Sequence, residues 1–265
     1  MLEPIKYTTI SSICVRDIVF YEKNNVENLI QFCKLNHISY LPGKDRQSCY
    51  KLNENTFELI EKIPEELICY PQDLIFSHST IKKFTNGNHD EVMFVMEDGF
   101  IKGVVHIVDY NNNDLYVELF RLLLKFEKNI RQLLEKYGKK NEDVLNYFVS
   151  ESLNSSFFLE KVEYYKSESG KARILNSNIF EAFYLRDLLL FCFYSNILNK
   201  RDVNLNKITA IRNWVAHSRE VIYINPDTKH PIYNIKGLKE FVENVQSLFK
   251  AFDHVEMKIL NDRKY

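Results

Sequence analysis

The sequence predicts an α+β protein: an α/β N-terminal half, residues 1–112, followed by an all-helical C-terminal half, residues 113–265. Three observations carry this prediction. Short apolar runs broken by turn signals fill the chain up to about Tyr110. Within that region the segment "RDIVF" (Arg16 to Phe20) reappears as "QDLIF" (Gln72 to Phe76). Beyond Asn113 the apolar residues switch to a helical period and keep it for most of the remaining chain.

In "NNVENLIQFCKLNH", Val26, Leu29, Ile30 and Cys33 recur at i, i+3, i+4 and i+7, which predicts a helix behind an asparagine cap. The segment "ISYLP" follows as a short strand. "EVMFVMEDGFIKGVVHIVD" reads as two strands joined at Asp98-Gly99, because glycine readily takes the positive φ of such a turn. Both copies of the repeated pentapeptide lead into a helix and then a strand. In the second half, Leu115, Leu119, Leu122, Leu123, Phe126, Ile130 and Leu133 form one stripe that stops at Gly138, a natural C-terminal cap. Further helices are expected around Asp143 to Leu153, Ile179 to Leu198, Lys207 to Ser218 and Leu238 to Leu260, packed as an antiparallel bundle. "KSESGKARILNS" and "INPDTKHP" read as loops.

Composition removes several classes of function. Thirty-five basic against 36 acidic side chains leave a formal charge of -1, so any contact with nucleic acid must be local. Seven glycines supply no phosphate-cradling Gly-rich loop. The five cysteines never form a Cys-x-x-Cys pair, and no His/Asp/Glu cluster has metal-ligand spacing, so no metal is expected. Scattered thiols suit a reducing cytoplasm. The longest apolar run, "LLLFCFY", is too short to span a bilayer, and no membrane partner is expected.

The stretch "ITAIRNWVAHSRE", Ile208 to Glu220, is the chemical focus. At about 100° per residue, Ile208, Ile211, Trp214, Val215 and Ile222 share one arc, while Arg212, Ala216, Asn213 and His217 occupy the opposite arc of roughly 140°. An arginine and a histidine five apart bracket a space about the size of a phosphate. Arginine holds a permanent planar donor fork, and histidine exchanges its proton near neutral pH. That combination suits RNA cleavage by the 2′-hydroxyl: a base removes its proton, an acid protonates the leaving 5′-oxygen, and a cation stabilises the charged phosphorus centre. By the same angular construction Arg219 falls beside Arg212, where it would touch the RNA backbone or remain solvated. His37, His78, His89 and His254 have no partner spacing, and His230 lies in a loop beside Lys229 as a possible RNA contact.

Two family resemblances attach to these residues. Residues 8 to 112, with their repeat, resemble a tandem pair of CBS domains, whose units run strand, helix, strand, strand, helix. This implies clefts for an adenine nucleotide, reached by a Gly-h-h-Ser/Thr-x-x-Asp strand end. "GVVHIVD" keeps Gly103 and Asp109 and puts His106 in the hydroxyl position, while "CYKLNEN" has Cys49, Leu52 and Asn55 at the three places. Residues 114 to 262 resemble the HEPN superfamily, whose Arg-x-x-x-x-His motif stands here as "RNWVAH". The resemblance implies a homodimeric, metal-independent endoribonuclease of toxin or antiviral-defence type that requires no cofactor. Arg212 and His217 would be its catalytic pair, and Asn213 would orient the histidine or a phosphate oxygen. Asp187 on an earlier helix would support them, unless it pairs with a surface lysine. An adenine nucleotide on the CBS pair would act as regulator, and an antitoxin or defence-system protein as partner. In HEPN toxins silenced by nucleotidyltransferases a tyrosine lies two positions after the histidine; Arg219 stands there instead. The alternative reading is a non-catalytic CBS ligand sensor whose helical half only dimerises or docks a partner.

Overall fold

A computed structural model describes residues 4–36, 38–86, 92–220, 222–224, 227, 231–233 and 235–261. They divide into two compact units, Met1–Tyr116 with Arg219–Val242, and Val117–Ser218 with Glu243–Tyr265. Two of its three boundaries fall inside long helices, and the third falls between Ser218 and Arg219, just after a helix ends. The first unit therefore takes in a segment late in the chain that the sequence reading assigns to the helical half.

The first unit opens with short 3-10 turns and then α1 (Val26–Leu35), whose Leu29 and Cys33 are buried, as its period predicts. Next come β1 (Tyr40–Pro42), β2 (Cys49–Asn53) and β3 (Thr56–Ile60), an antiparallel meander in the order β1-β2-β3. A second sheet is built from β4 (Ile68–Cys69), β5 (Val92–Glu97) and β6 (Phe100–His106), with α2 (His78–Asn86) between β4 and β5. β4 runs parallel to β5, as a crossover through a helix requires, and β5 and β6 form the predicted hairpin. Its turn has Asp98 at φ 52 and Gly99 at φ 79, the left-handed geometry anticipated from Asp-Gly. Tyr40, Cys49, Ile63, Phe94 and Ile101 form a buried cluster spanning both sheets.

Both copies of the repeat lead into a helix and then a strand, but neither copy is itself a strand. The second is tied down by Ile10 N–H to Asp73 O at 2.8 Å and Ile75 N–H to Thr8 O at 3.1 Å, with Ile75 and Phe76 buried. In the first copy the matching Val19 is exposed. Sequence similarity thus accompanies unequal burial.

In the second unit, α3 (Asn113–Lys136) buries the predicted stripe from Leu119 to Leu133. It ends in a Schellman motif, Lys139 N–H to Leu134 O at 3.0 Å and Gly138 N–H to Glu135 O at 2.9 Å, with Gly138 at φ 65. α4 (Asn141–Ser152) and α5 (Ser156–Lys166) follow as a hairpin of helices. "KSESGKARILNS" is not a loop: it holds α6 (Glu168–Leu175), begun by Ser167 Oγ accepting from Gly170 N–H at 3.3 Å. The small Gly170 is needed there, since a Cβ would lie 2.2 Å from Tyr164 O. The helix expected from Ile179 is shorter, α7 (Leu185–Tyr194). Phe180 at φ 63 leaves the helical region, and its N–H donates to Asn141 Oδ1 at 2.8 Å. An aromatic cluster of Tyr147, Phe148, Phe158, Tyr165 and Phe183 joins these elements. α8 (Leu205–Ala216) and α9 (Ile235–Asn261) complete the helices. Between them β7 (Ile222–Ile224) pairs antiparallel with β8 (Pro231–Tyr233), so the second half is not wholly helical. No helix among the described residues is long and apolar enough to cross a membrane.

Candidate functional site

α8 exists because Asn204 caps it and its apolar residues find a core. Asn204 Oδ1 accepts from Lys207 N–H at 3.1 Å, satisfying one of the free donors of the first turn. Ile208, Ile211 and Val215 are buried, as the angular arc predicts. Lys207, which maps to that arc, instead reaches Glu243 Oε2 at 2.9 Å. The opposite arc opens to solvent: Arg212 and His217 are exposed and Asn213 is half-buried.

The helix stops one residue before His217. His217 is the C-cap at φ -107 and ψ 9, with its N–H donating to Asn213 O at 3.2 Å, and Ser218 turns into the left-handed region at φ 45. Two sequence readings change as a result. The angular position assigned to His217 holds only for its backbone entry, because the residue marks the end of the helical turn. Arg219 and Ile222 lie beyond that end, so helical angles do not apply to them; Arg219 uses its carbonyl to accept from Tyr116 OH at 2.9 Å.

Asn213 connects the pair. Arg212 Nη1 donates to its side-chain Oδ1 at 3.4 Å, and its backbone carbonyl holds the His217 N–H. Its amide therefore orients the arginine, where the sequence reading assigns it to the histidine or to phosphate. Neither the Arg212 guanidinium nor the His217 imidazole has a carboxylate partner among the described residues. Both keep donors for an anionic ligand.

Glu127 and Arg131 of α3 escape a sequence reading. They form an i,i+4 ion pair with about three quarters of each side chain buried. Burial raises the Glu127 pKa, while the charges of Arg131 and then Arg212 pull it down. Glu127 thus lies within the electrostatic reach of the motif arginine. The only sequence signal was an acid four residues ahead of a base, the commonest pattern on any helix surface.

Asp187 is not a surface residue. It is 1% exposed on the first turn of α7, and Lys161 Nζ donates to its Oδ2 at 2.7 Å. Lys161 also lies over the rings of Tyr184 and Phe157. This is a buried ion pair, and the residue that Asp187 binds is a lysine rather than a motif residue.

The residues singled out for a nucleotide are engaged locally. Asp109 Oδ2 accepts from His106 N–H at 2.7 Å and His106 Nδ1 from Val108 N–H at 3.2 Å, a capping box that starts a 3-10 turn. Burial lowers the His106 pKa to about 4 and raises that of Asp109 to about 6, the latter partly offset by the His106 N–H. Gly103 is small because Cys14 Sγ and Val15 O would lie 2.3 and 2.6 Å from a Cβ, alongside the Val15–Val104 bridge. In the other unit of the repeat, Cys49 is buried in the sheet core and Asn55 Oδ1 accepts from Lys34 Nζ. His37, His89 and His230 lie outside the described residues.

Scans against protein-family models, curated proteins and solved structures found no match to this chain. The site must therefore be read from its own chemistry.

Proposed function

We propose that this chain is a metal-independent endoribonuclease that works as a homodimer, of the toxin or antiviral-defence type. The observation that carries the reading is the solvent-facing Arg212–Asn213–His217 end of α8, whose guanidinium and imidazole form no ion pair with a carboxylate among the described residues while the opposite side of the helix is anchored in the core. Arg212 is the fixed cation for the phosphate, with its guanidinium on Asn213 Oδ1. His217, at the helix end with its ring in solvent, exchanges the proton. In one displacement a single histidine is poorly suited to act as base and acid at once, whereas two motifs facing across a twofold axis supply both.

The test uses single-stranded RNA in EDTA. Wild-type protein is expected to yield fragments ending in 2′,3′-cyclic phosphate, and His217→Ala to abolish them. Uncut RNA with wild type, or undiminished cutting by the variant, overturns the assignment.

The ligand-sensor reading has less support. Gly103, His106 and Asp109 are accounted for by packing and capping, so regulation of the nuclease by an adenine nucleotide at this place rests on the CBS resemblance alone.

A further inference from the structure

Where α7 runs out, the chain doubles back through a compact turn. Asn196 takes φ 55, the Ile197 and Leu198 N–H groups both donate to Cys192 O, and Asn199 O accepts from Asp202 and Val203 N–H. Lys258 of α9 fastens this turn by donating from Nζ to Ile197 O at 2.8 Å. Turn and helix line an open cavity of about 430 Å³ beside Ile197 and Leu198. That volume lies within the range of roughly 300–1,000 Å³ typical of small-ligand pockets.

Its polar lining is not balanced internally. His254 Nε2 is enclosed and has no hydrogen-bond partner among the described residues; Asp202 Oδ2 is 3.8 Å away, beyond hydrogen-bond reach. A buried polar atom costs free energy until a water or a ligand atom meets it, so this nitrogen is open to a ligand. Lys258 spends one of its three donors on Ile197 O, and Lys200 spends none on a described partner. Two ammonium groups and an unsatisfied imidazole nitrogen thus face one carboxylate, an excess that favours an anion. Phe193 adds a half-buried ring to the wall, and Asn196 adds an amide suited to the edge of a base, while Asn199 Oδ1 accepts from Arg201 N–H at 2.9 Å.

The geometry points to a binding site for one nucleotide unit, its phosphate held by His254, Lys258 and Lys200 and its base against Phe193. The site shares no residue with the α8 motif and stands whether or not that motif cleaves RNA. The nucleotide can come as a free monophosphate or as one residue of an RNA strand. Each presents the same phosphate and base to these side chains.

Calorimetric titration of the full chain separates the outcomes. The His217→Ala protein serves as host, so that any RNA stays intact, and the probes are 5′-AMP, GMP, CMP, UMP, a single-stranded tetranucleotide and inorganic phosphate. At least one nucleotide probe is expected to bind, about tenfold more weakly in a His254→Ala background, since a charge-assisted hydrogen bond is lost. Asp202→Asn is expected to tighten binding severalfold by removing the opposing charge, and Asp109→Ala to change nothing. Binding of the tetranucleotide alone assigns the unit to an RNA strand; binding of a mononucleotide assigns it to a free metabolite. Lys200→Glu, which disturbs no described contact, guards against a folding artefact in the His254 variant. Absence of binding by every nucleotide probe overturns the site. So does binding indifferent to His254→Ala and Lys200→Glu, or inorganic phosphate binding as tightly as the nucleotides.

Discussion

At the scale of single residues, the molecule separates groups that hold the fold from groups that are free to act. Arg212 and His217 are exposed, and neither fills the core, so truncating them should leave stability within about 0.5 kcal/mol of wild type. Cleavage should nevertheless drop at least about a hundredfold in His217→Ala, the usual loss for a general acid–base group. Paired thermal melts and RNA assays check both halves of that statement. His106 and Asp109 behave oppositely, since their ionisation is coupled to folding. The folded-state pKa of His106, about 4, lies below its ordinary 6.5, so its contribution is complete above 6.5 and lost as pH falls toward 4. The folded-state pKa of Asp109, about 6, lies above its ordinary 3.8, so its contribution is complete below 3.8 and lost as pH rises through 6. In wild type the two trends largely cancel between pH 4 and 6.5. His106→Asn keeps the cap and should make stability fall with rising pH across that window, relative to wild type. Asp109→Asn should make it fall with decreasing pH. Each slope should total on the order of 2 kcal/mol, read from urea midpoints followed by circular dichroism.

At the scale of the element, helix ends govern both stability and what the site can present. Ser218 carries a side chain in the left-handed region where glycine is preferred, so Ser218→Gly should raise stability by about 1 kcal/mol in a thermal melt. Gly138→Ala at φ 65 should lower it by a similar amount, for backbone reasons alone, because no atom lies within 4 Å of the added Cβ. The buried Lys161–Asp187 pair gives a larger effect: Asp187→Ala strands an ammonium group and should cost about 3 kcal/mol, while Lys161→Met with Asp187→Leu should recover most of it. A double-mutant cycle of melts measures the difference. These same ends mark where the sequence was legible. Period made α1 and the buried side of α8 readable, period with the Gly138 stop made α3 so, and Asp98-Gly99 the hairpin, because each rests on local residues; the asparagine cap expected for α1 is not formed, since the Asn25 side chain makes no capping hydrogen bond. α6 was missed since its eight residues lack an apolar stripe and depend on Ser167 and the close approach to Tyr164. His217 was placed inside the helix because nothing in "AHSRE" announces a left-handed serine. Asp187 and His254 were opaque for a different reason: the groups nearest them, Lys161 beside Asp187 and Asp202 at 3.8 Å from His254, are distant in sequence and only tertiary packing brings them near.

At the scale of the whole molecule, the proposed chemistry makes a statement about stoichiometry. If two α8 motifs face each other and one histidine is base while the other is acid, a dimer with a single intact His217 lacks one of the two roles and should be as slow as the double variant. Protomers that act independently would instead each keep their own activity. Co-expressing wild-type and His217→Ala chains in equal amounts under different affinity tags distributes them at random, so about a quarter of dimers carry two intact motifs and about half are mixed. The composite site therefore predicts activity near a quarter of that of an all-wild-type sample at the same total protein, and mixed dimers isolated through both tags should be inactive. Independent sites predict about a half, with mixed dimers half as active as wild type. Arg212→Ala separates charge stabilisation from proton transfer in the same format, since a mixed dimer with one arginine retains both histidines. It should lose part of the rate while keeping the wild-type pH profile, whereas loss of one His217 removes the profile along with the rate.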